Sequence, residues 1–315
     1  MNNRILFTEL GKLLWKIIRC LILIGLSYVL LYPILYLIVT SLKDADQIMD
    51  PSIVWLPKKI IFSNFSYAWT EMEYLKSFGT SVMVALISSV LQLISCSLAG
   101  YGFARYKFKG SSVLFLFVLV TLIMPSDLIT IPLRFLYQEF SIPIISPILD
   151  LLYIQTMPDF LTVNLMDSWF VFWLQALFAT GIRAGLFIFI FRQFFQSTPL
   201  EIEEAAMVDG AGHFKTFYSV MVPNASGAFL TVFLFSIVWY WNDTFYTNHF
   251  ISNKKTLAKA LTQMQSELSK NSADFYGSSA KLMASALLFI IPMLIMYAVL
   301  QKYFVESVDR SGLVG

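Results

Sequence analysis

Apolar residues occur in blocks of about twenty, separated by shorter polar stretches, at roughly 17–39, 78–103, 113–133, 171–191, 225–246 and 282–303. Within a block they follow neither the alternation of a strand nor the one-sided spacing of an amphipathic helix. About twenty apolar residues is the length a helix needs to cross the hydrocarbon of a bilayer. A backbone in lipid must satisfy its own polar groups, so the pattern predicts an all-α polytopic fold with six transmembrane helices, embedded in membrane lipid. No internal repeat and no low-complexity linker divides the chain, and residues 1–315 read as one membrane domain.

Charge then orients the blocks. Arg4, Lys12, Lys16 and Arg19 precede the first span, and Arg105, Lys107 and Lys109 follow the second. By the positive-inside rule these basic flanks place the N-terminus and the 104–111 turn in the cytoplasm, and six crossings bring the C-terminus back there. The first block is too long, and too poor in small residues at its end, to be a signal peptide. Outside the membrane, Ser41 to Ser77 is rich in turn formers and aromatics (Pro51, Trp55, Pro57, Phe65, Trp69) and predicts a folded cap. The stretch from Arg134 to Phe170 contains an apolar run, Ile142 to Ile154, broken by Pro143 and Pro147 and too short to cross. It predicts an interfacial segment.

Composition narrows the function classes. The chain is 57% hydrophobic and 13% charged, with a mean hydropathy of +0.70, against about 25% charged for an ordinary soluble domain. A net charge of +2 and the lack of any Lys/Arg-rich tract exclude nucleic acid as a partner. Cys20 and Cys96 both lie in apolar segments and read as buried packing residues. The histidines are His213 and His249, which this topology puts on opposite sides of the membrane, so neither a metal site nor a nucleophile triad is expected. Gly11-Lys12 is the only Gly-Lys pair, with no earlier glycine at phosphate-loop spacing and no Ser or Thr after it. The chain carries no nucleotide-binding motif of its own and does not read as an enzyme.

The informative polar segment is 196–223, QSTPLEIEEAAMVDGAGHFKTFYSVMVP. Thr198 is placed to cap a helix, Pro199 suits its first turn, and Glu201, Glu203 and Glu204 oppose the positive end of its dipole. Gly210 is a stop, since it can take the left-handed conformation. A second short helix, Ala211 to Val222, is expected to run until Pro223 opens the fifth span. Four acidic residues stand where the positive-inside rule calls for Lys and Arg. They are either a solvated helix cap or a docking surface for another protein, and Asp209 reads equally as a cap of the second helix or a partner contact.

Glu204-Ala205-Ala206, Gly210 four residues on, then Val220, Val222 and Pro223 resemble the EAA motif (EAA-x3-G-x9-I-x-L-P) of bacterial ABC importer permeases, with Val in place of Ile and Leu. SLAGYGFARYKFKG at the end of the second span, Trp241-Asn242-Asp243, Thr256-Leu257 and the sixth span resemble the six-span, maltose-type carbohydrate branch of that family over most of 15–315. The tail Val308 to Gly315 departs from its relatives' glycine-rich, lysine-bearing ending, the Arg134 to Phe170 loop is longer than usual, and Asn224 to Ala228 lacks a proline often found there.

The resemblance implies a permease subunit of the bacterial cytoplasmic membrane that imports a sugar or oligosaccharide. Its implied partners are a second homologous permease, two ATPase subunits that bind ATP and Mg, and an extracytoplasmic solute-binding protein. It also implies that 196–223 is a coupling helix-turn-helix seated in a cleft of the ATPase, with Glu204, Ala205, Ala206, Asp209, Gly210 and Pro223 as the coupling residues. Small alanines let helix backbones approach closely, and carboxylates accept charge-assisted hydrogen bonds from a partner. A permease for a non-sugar solute is the alternative. An ion-coupled carrier would show intramembrane acids and inverted repeats, which are not evident. Polar or aromatic groups within spans mark candidate pathway residues: Arg183, expected mid-span, with Gln175 and Trp173 outward of it, and Gln92, Trp239, Trp241 and Asn242. Arg183 serves equally well as an ion-pair partner at a subunit interface.

Overall fold

The structure is a computed structural model, and it describes residues 2–141, 162–270 and 274–312. The whole run Ile142 to Ile154, and the last residues of the tail, lie outside the described residues. The chain forms two compact units, one of residues up to Met72 with Gln263–Ile291, the other of Glu73–Thr262 with the chain from Pro292. Apart from a two-residue antiparallel pair, β1 (Phe140–Ser141) with β2 (Thr162–Val163), the described elements are helical.

In the first unit, α1 (Asn2–Ser41) covers the first predicted span, and residues 11–33 are exposed on every side. Such an all-round apolar helix needs lipid or another chain as its solvent. Cys20 is exposed there rather than buried. The following segment folds: α2 (Ala45–Met49) is capped by Asp44, and α3 (Ser63–Glu71) follows. Lys43, buried, donates from Nζ to the carbonyls of Ile53 at 2.7 Å and Val54 at 2.8 Å, so a charge removed from water is met by two dipoles. Asn64 Nδ2 closes the segment by donating to the Ser41 and Lys43 carbonyls.

The second unit is built on α4 (Tyr74–Arg105), α5 (Ser111–Ile123), α6 (Ser126–Gln138), α7 (Phe170–Leu177), α8 (Ala184–Ser197), α9 (Leu200–Val208), α10 (His213–Thr216), α11 (Ser226–Asn242), α12 (Phe245–Phe250) and the start of α13 (Leu257–Lys270); α14 (Phe275–Gly312) ends the described chain. In lipid there is little hydrophobic drive between helices, and close packing of small residues takes its place. Helix α4 buries Ser81, Ser88, Ser89, Ser97 and Gly100. A side chain at Gly100 would put its Cβ 2.6 Å from that of Phe191, so only glycine lets α8 lie this close. Phe187, Phe191 and Phe195, four apart on one face of α8, fill the seam and are fully buried.

Several predicted spans are interrupted. Three helices are long and apolar enough to cross a membrane, Gly11–Ser41, Tyr74–Arg105 and Phe275–Tyr303, or up to five if two bent pairs each count as one, among the described residues. The 113–133 block bends by 104° between α5 and α6. Pro125 follows Met124, whose ψ of 129° is the extended geometry a pre-proline residue prefers. The 171–191 block is two helices, α7 and α8, with a turn at 178–183 in which Ala179 and Arg183 have φ of 56° and 59°. The turn persists because α4 supplies partners for its freed carbonyls: Ser95 Oγ donates to Ala176 O at 2.6 Å and Gln92 Nε2 to Ile182 O at 2.8 Å. Beyond Asn242 the chain turns extended at Asp243, and the 225–246 block is therefore α11 and the start of α12.

Candidate functional site

Two regions carry the sequence-predicted residues, both within the second unit. The first is 196–223. Helix α8 ends at Ser197, Thr198 is extended, and α9 begins after Pro199 with no side-chain cap. The Thr198 hydroxyl turns back to the Phe194 carbonyl at 3.1 Å, so it closes α8 instead of opening α9. Glu201 and Glu203 lie in the first turn of α9. At its end Gly210 has φ of 80°, its N–H bonds Met207 O and that of Ala211 bonds Ala206 O, both at 3.0 Å. This pair of bonds is a Schellman closure, for which a left-handed glycine is needed. The Asp209 carboxylate caps nothing: α10 starts from Gly212 without a side-chain cap.

The expected helix Ala211 to Val222 is not uniform. One turn of α10 passes into a π turn, Phe217–Met221, then Val222–Asn224, and this segment meets α11 at 78°. Pro223 stands at that bend, where its missing N–H interrupts the ladder.

Glu203 fastens the whole element to α4. It is 3% exposed, accepts from Tyr101 Oη at 3.0 Å and from Arg105 Nε, and the same guanidinium reaches the Thr198 carbonyl at 2.8 Å. Tyr101 is packed between Phe195 and Phe217, with ring centroids at 5.4 and 4.9 Å. Sequence reasoning placed Glu203 in an outward acidic cluster at the helix dipole, not in an inward pair. The signal available was its neighbour in chemistry, a lone arginine at the end of the preceding long helix.

With Glu203 turned inward, α9 presents Glu204, Ala205 and Asp209 outward, Ala206 half-buried, and Pro223 exposed farther along. Around them stand bare apolar side chains: Val208 is 87% exposed, Phe214 84% and Tyr218 76%. Beside them a shallow hollow of about 170 Å³ opens between Tyr101, Tyr106, His213, Phe214 and Phe217. An exposed apolar cluster rimmed by carboxylates has the composition that protein contacts use.

The second region is a cavity of about 600 Å³ walled by α5, α6, the 178–183 turn and the end of α11. Arg183, Gln175, Asn242 and Trp239 all line it. Arg183 is not mid-helix as expected; it is the left-handed residue that opens α8. Gln92 is fully buried and occupied with Ile182 O and the Ser236 hydroxyl, so it holds the turn and does not line the cavity. Trp173 and Trp241 are also off the wall, the latter buried with its ring 6.1 Å from Phe78. Asp243 lines the cavity but is committed: it accepts from the N–H groups of Tyr246 and Thr247 and from the Thr247 hydroxyl, opening α12.

A protein-family model described as "binding-protein-dependent transport system inner membrane component" matches residues 93–310. The chain is 26% identical over 92% of its length to the arabinooligosaccharides transport system permease protein AraQ of Halalkalibacterium halodurans, covering 93% of that protein. It is 28% identical to the melibiose/raffinose/stachyose import permease MelC of Bacillus subtilis, over 90% of this chain and 91% of that one. It is also 28% identical to the diacetylchitobiose uptake permease NgcG of Streptomyces coelicolor, over 92% and 86%. In fold it is similar to a chain of the crystal structure of a bacterial ABC transporter involved in import of the acidic polysaccharide alginate, with a TM-score of 0.68, 20% identity, and coverage of 93% of this chain and 98% of that chain.

Proposed function

The chain belongs to the family of binding-protein-dependent transport system inner membrane components, and from that premise we infer that it is the permease of an ATP-driven importer whose cargo is a sugar or oligosaccharide. It is a transport component of the inner membrane and not an enzyme. ATP and Mg belong to partner ATPase subunits, and cargo arrives on a solute-binding protein. The full assembly is this chain with a second homologous permease and two ATPases. The permease crosses the membrane six times with both termini in the cytoplasm, the broken 171–191 segment being the fourth crossing. Carriage of a non-sugar solute is the lesser reading, since the relatives' names point to oligosaccharides.

In this reading 196–223 is the coupling element. An importer must turn closure of its ATPases into movement of membrane helices, which demands a stiff lever. The observation that carries the inference is the pairing of two features: the Schellman-closed α9 is locked to α4 through Glu203 and Arg105, and its opposite side is bare. Glu204 and Asp209 supply acceptors for cations of the ATPase, Ala205 and Ala206 let its groove come close, and Val208 and Phe214 give the apolar contact. Gly210 keeps the turn short and Pro223 sets the bend into α11.

The test is the pair Gly210→Pro and Ala205→Trp. Proline cannot take φ of 80°, and tryptophan would hold the two surfaces apart. Both variants are expected in the membrane in normal amount, with substrate uptake and binding-protein-stimulated ATP hydrolysis abolished. Normal transport in both would remove the lever.

A further inference from the structure

We propose that the 53–62 segment is a membrane anchor, its apolar side chains dipping to the headgroup–acyl boundary of the leaflet in which α1 ends. In the six-crossing topology above this is the outer leaflet. The inference concerns the first unit alone and holds whatever cargo the importer carries.

Depth is the first observation. The Trp55 ring meets that of Tyr32 edge-on, with centroids 5.4 Å apart. Tyr32 stands nine residues before α1 ends at Ser41, about 13 Å back along the helix. The apolar length Gly11–Ser41 has 31 residues, about 46 Å, which matches the thickness of a bilayer together with its headgroups. A point 13 Å or so in from its end is therefore close to where the acyl chains begin. The chain leaves the helix at Ser41 and returns to that depth at Trp55. Tyr28, Tyr32 and Tyr36, four apart, form an aromatic ladder on the face it meets.

The second observation is what the segment exposes. Ile53 is buried, but Val54, Trp55, Leu56, Ile60 and Phe62 are bare, Leu56 by 85% and Phe62 by 69%. That is a large apolar surface for ten residues to show to water. The neighbouring turns of α1 are bare on every side, a surrounding that lipid supplies and that a protein lying against one side of the helix does not. Tryptophan and tyrosine at this level, with lysine beside them, are the residues that sit at a bilayer interface. Lys58 is paired with Asp50 at 3.2 Å. Lys59 is exposed and forms no ion pair with any described residue, and its long stem can carry the ammonium to a lipid phosphate.

The third is what the segment hides. Irregular backbone can approach hydrocarbon only where protein meets its polar groups. Lys43 Nζ donates to the Ile53 and Val54 carbonyls. Gln47 takes both groups of Lys59, its Nε2 donating to the carbonyl at 2.9 Å and its Oε1 accepting from the N–H at 3.2 Å. The N–H groups of Ile53 and Ile61 bond Asp50 O at 3.0 Å and Leu42 O at 2.9 Å. Lys43 and Gln47 are themselves buried. In water those carbonyls would be solvated without burying a cation to meet them.

The test attaches a nitroxide to Leu56→Cys or Phe62→Cys, with Asp46→Cys, the site of an exposed carboxylate, as the aqueous control. The background is Cys20→Ala, Cys96 being buried, and the whole complex is held in lipid nanodiscs. Relaxation of the label by oxygen, which concentrates in lipid, and by a water-soluble nickel chelate is measured with and without the binding protein. Oxygen is expected to outweigh the chelate several-fold at 56 and 62, the chelate to outweigh oxygen at 46, and the binding protein to change neither. Chelate access at 56 and 62 equal to that at 46 would put the segment in water. Low access of both reagents, in either condition, would put a protein over it. Either result overturns the anchor.

Discussion

Glu203 and Glu204 are adjacent carboxylates with opposite fates, and burial decides between them. Glu203 is out of water and must be paired; Glu204 is exposed and free to meet another chain. Removing one partner of a buried pair leaves an uncompensated charge, at a cost of about 3–5 kcal/mol. Glu203→Ala is therefore expected to lower the thermal midpoint of the purified permease complex and uncouple ATP hydrolysis from uptake. Addition of Arg105→Ala should cost little more, a non-additivity read in a double-mutant cycle. Glu204→Ala should leave the midpoint unchanged and weaken only association with the ATPase. A third carboxylate, Asp167, ties its turn to the 252–254 segment. The Asn253 amide, its side chain and the Ser252 amide donate to it, holding its pKa below the usual carboxylate value. Because the folded value lies below the unfolded one, near 3.9, the stabilisation is complete above the unfolded value and is lost as pH falls through the lowered folded value. Hydrogen exchange at the Ser252 and Asn253 amides should show protection constant from pH 7 to about 5 and falling below about 4; Asp167→Asn should remove that pH dependence.

Among the elements, α4 and α8 are the pair on which the second unit depends, and glycine sets their distance. Gly100→Leu forces its Cβ into Phe191, an overpacking expected to cost about 1–3 kcal/mol, whereas Gly102→Ala, with nothing within 4 Å, should be silent; thermal unfolding of the two variants checks the contrast. Sequence periodicity was enough to place α1, α4 and α14, because apolar length is written directly in the chain. It could not find the breaks inside the third and fourth apolar blocks. The bend at Met124-Pro125 had its proline in plain view, yet prolines are tolerated in membrane helices, so the residue alone did not dictate a 104° turn. The break before Arg183 has no proline at all. It exists because Gln92 and Ser95, some eighty to ninety positions away, accept the duty of bonding its carbonyls, and a contact of that range is invisible to local pattern. The same blindness turned Gln92 from a pathway candidate into a brace. In the 196–223 element the glycine stop and the acidic first turn were legible, because capping is local; the inward lock of Glu203 and the π turn were not, because both depend on what packs against them.

At the scale of the molecule, the second unit holds both regions that the proposed relay would join: a cavity at the 178–183 turn and a bare, acid-rimmed helix at 200–208, linked by α4 and α8. Glu203 and Arg105 fix the helix to the end of α4, and Gln92 and Ser95, farther back on the same helix, fix the turn that bears Arg183. A push on α9 would pass through one rod to the cavity wall, the route that the proposed coupling role requires. The most direct test of the central claim is photo-crosslinking in native membranes from a benzophenone amino acid placed at Val208 or Phe214, with Leu128, exposed on α6, as the control site. Both α9-region probes are expected to capture the ATPase subunit in the resting importer, with yield changing when ATP is trapped, and the control is expected to capture none. Absence of the ATPase from both adducts, in complexes that still transport, would contradict it.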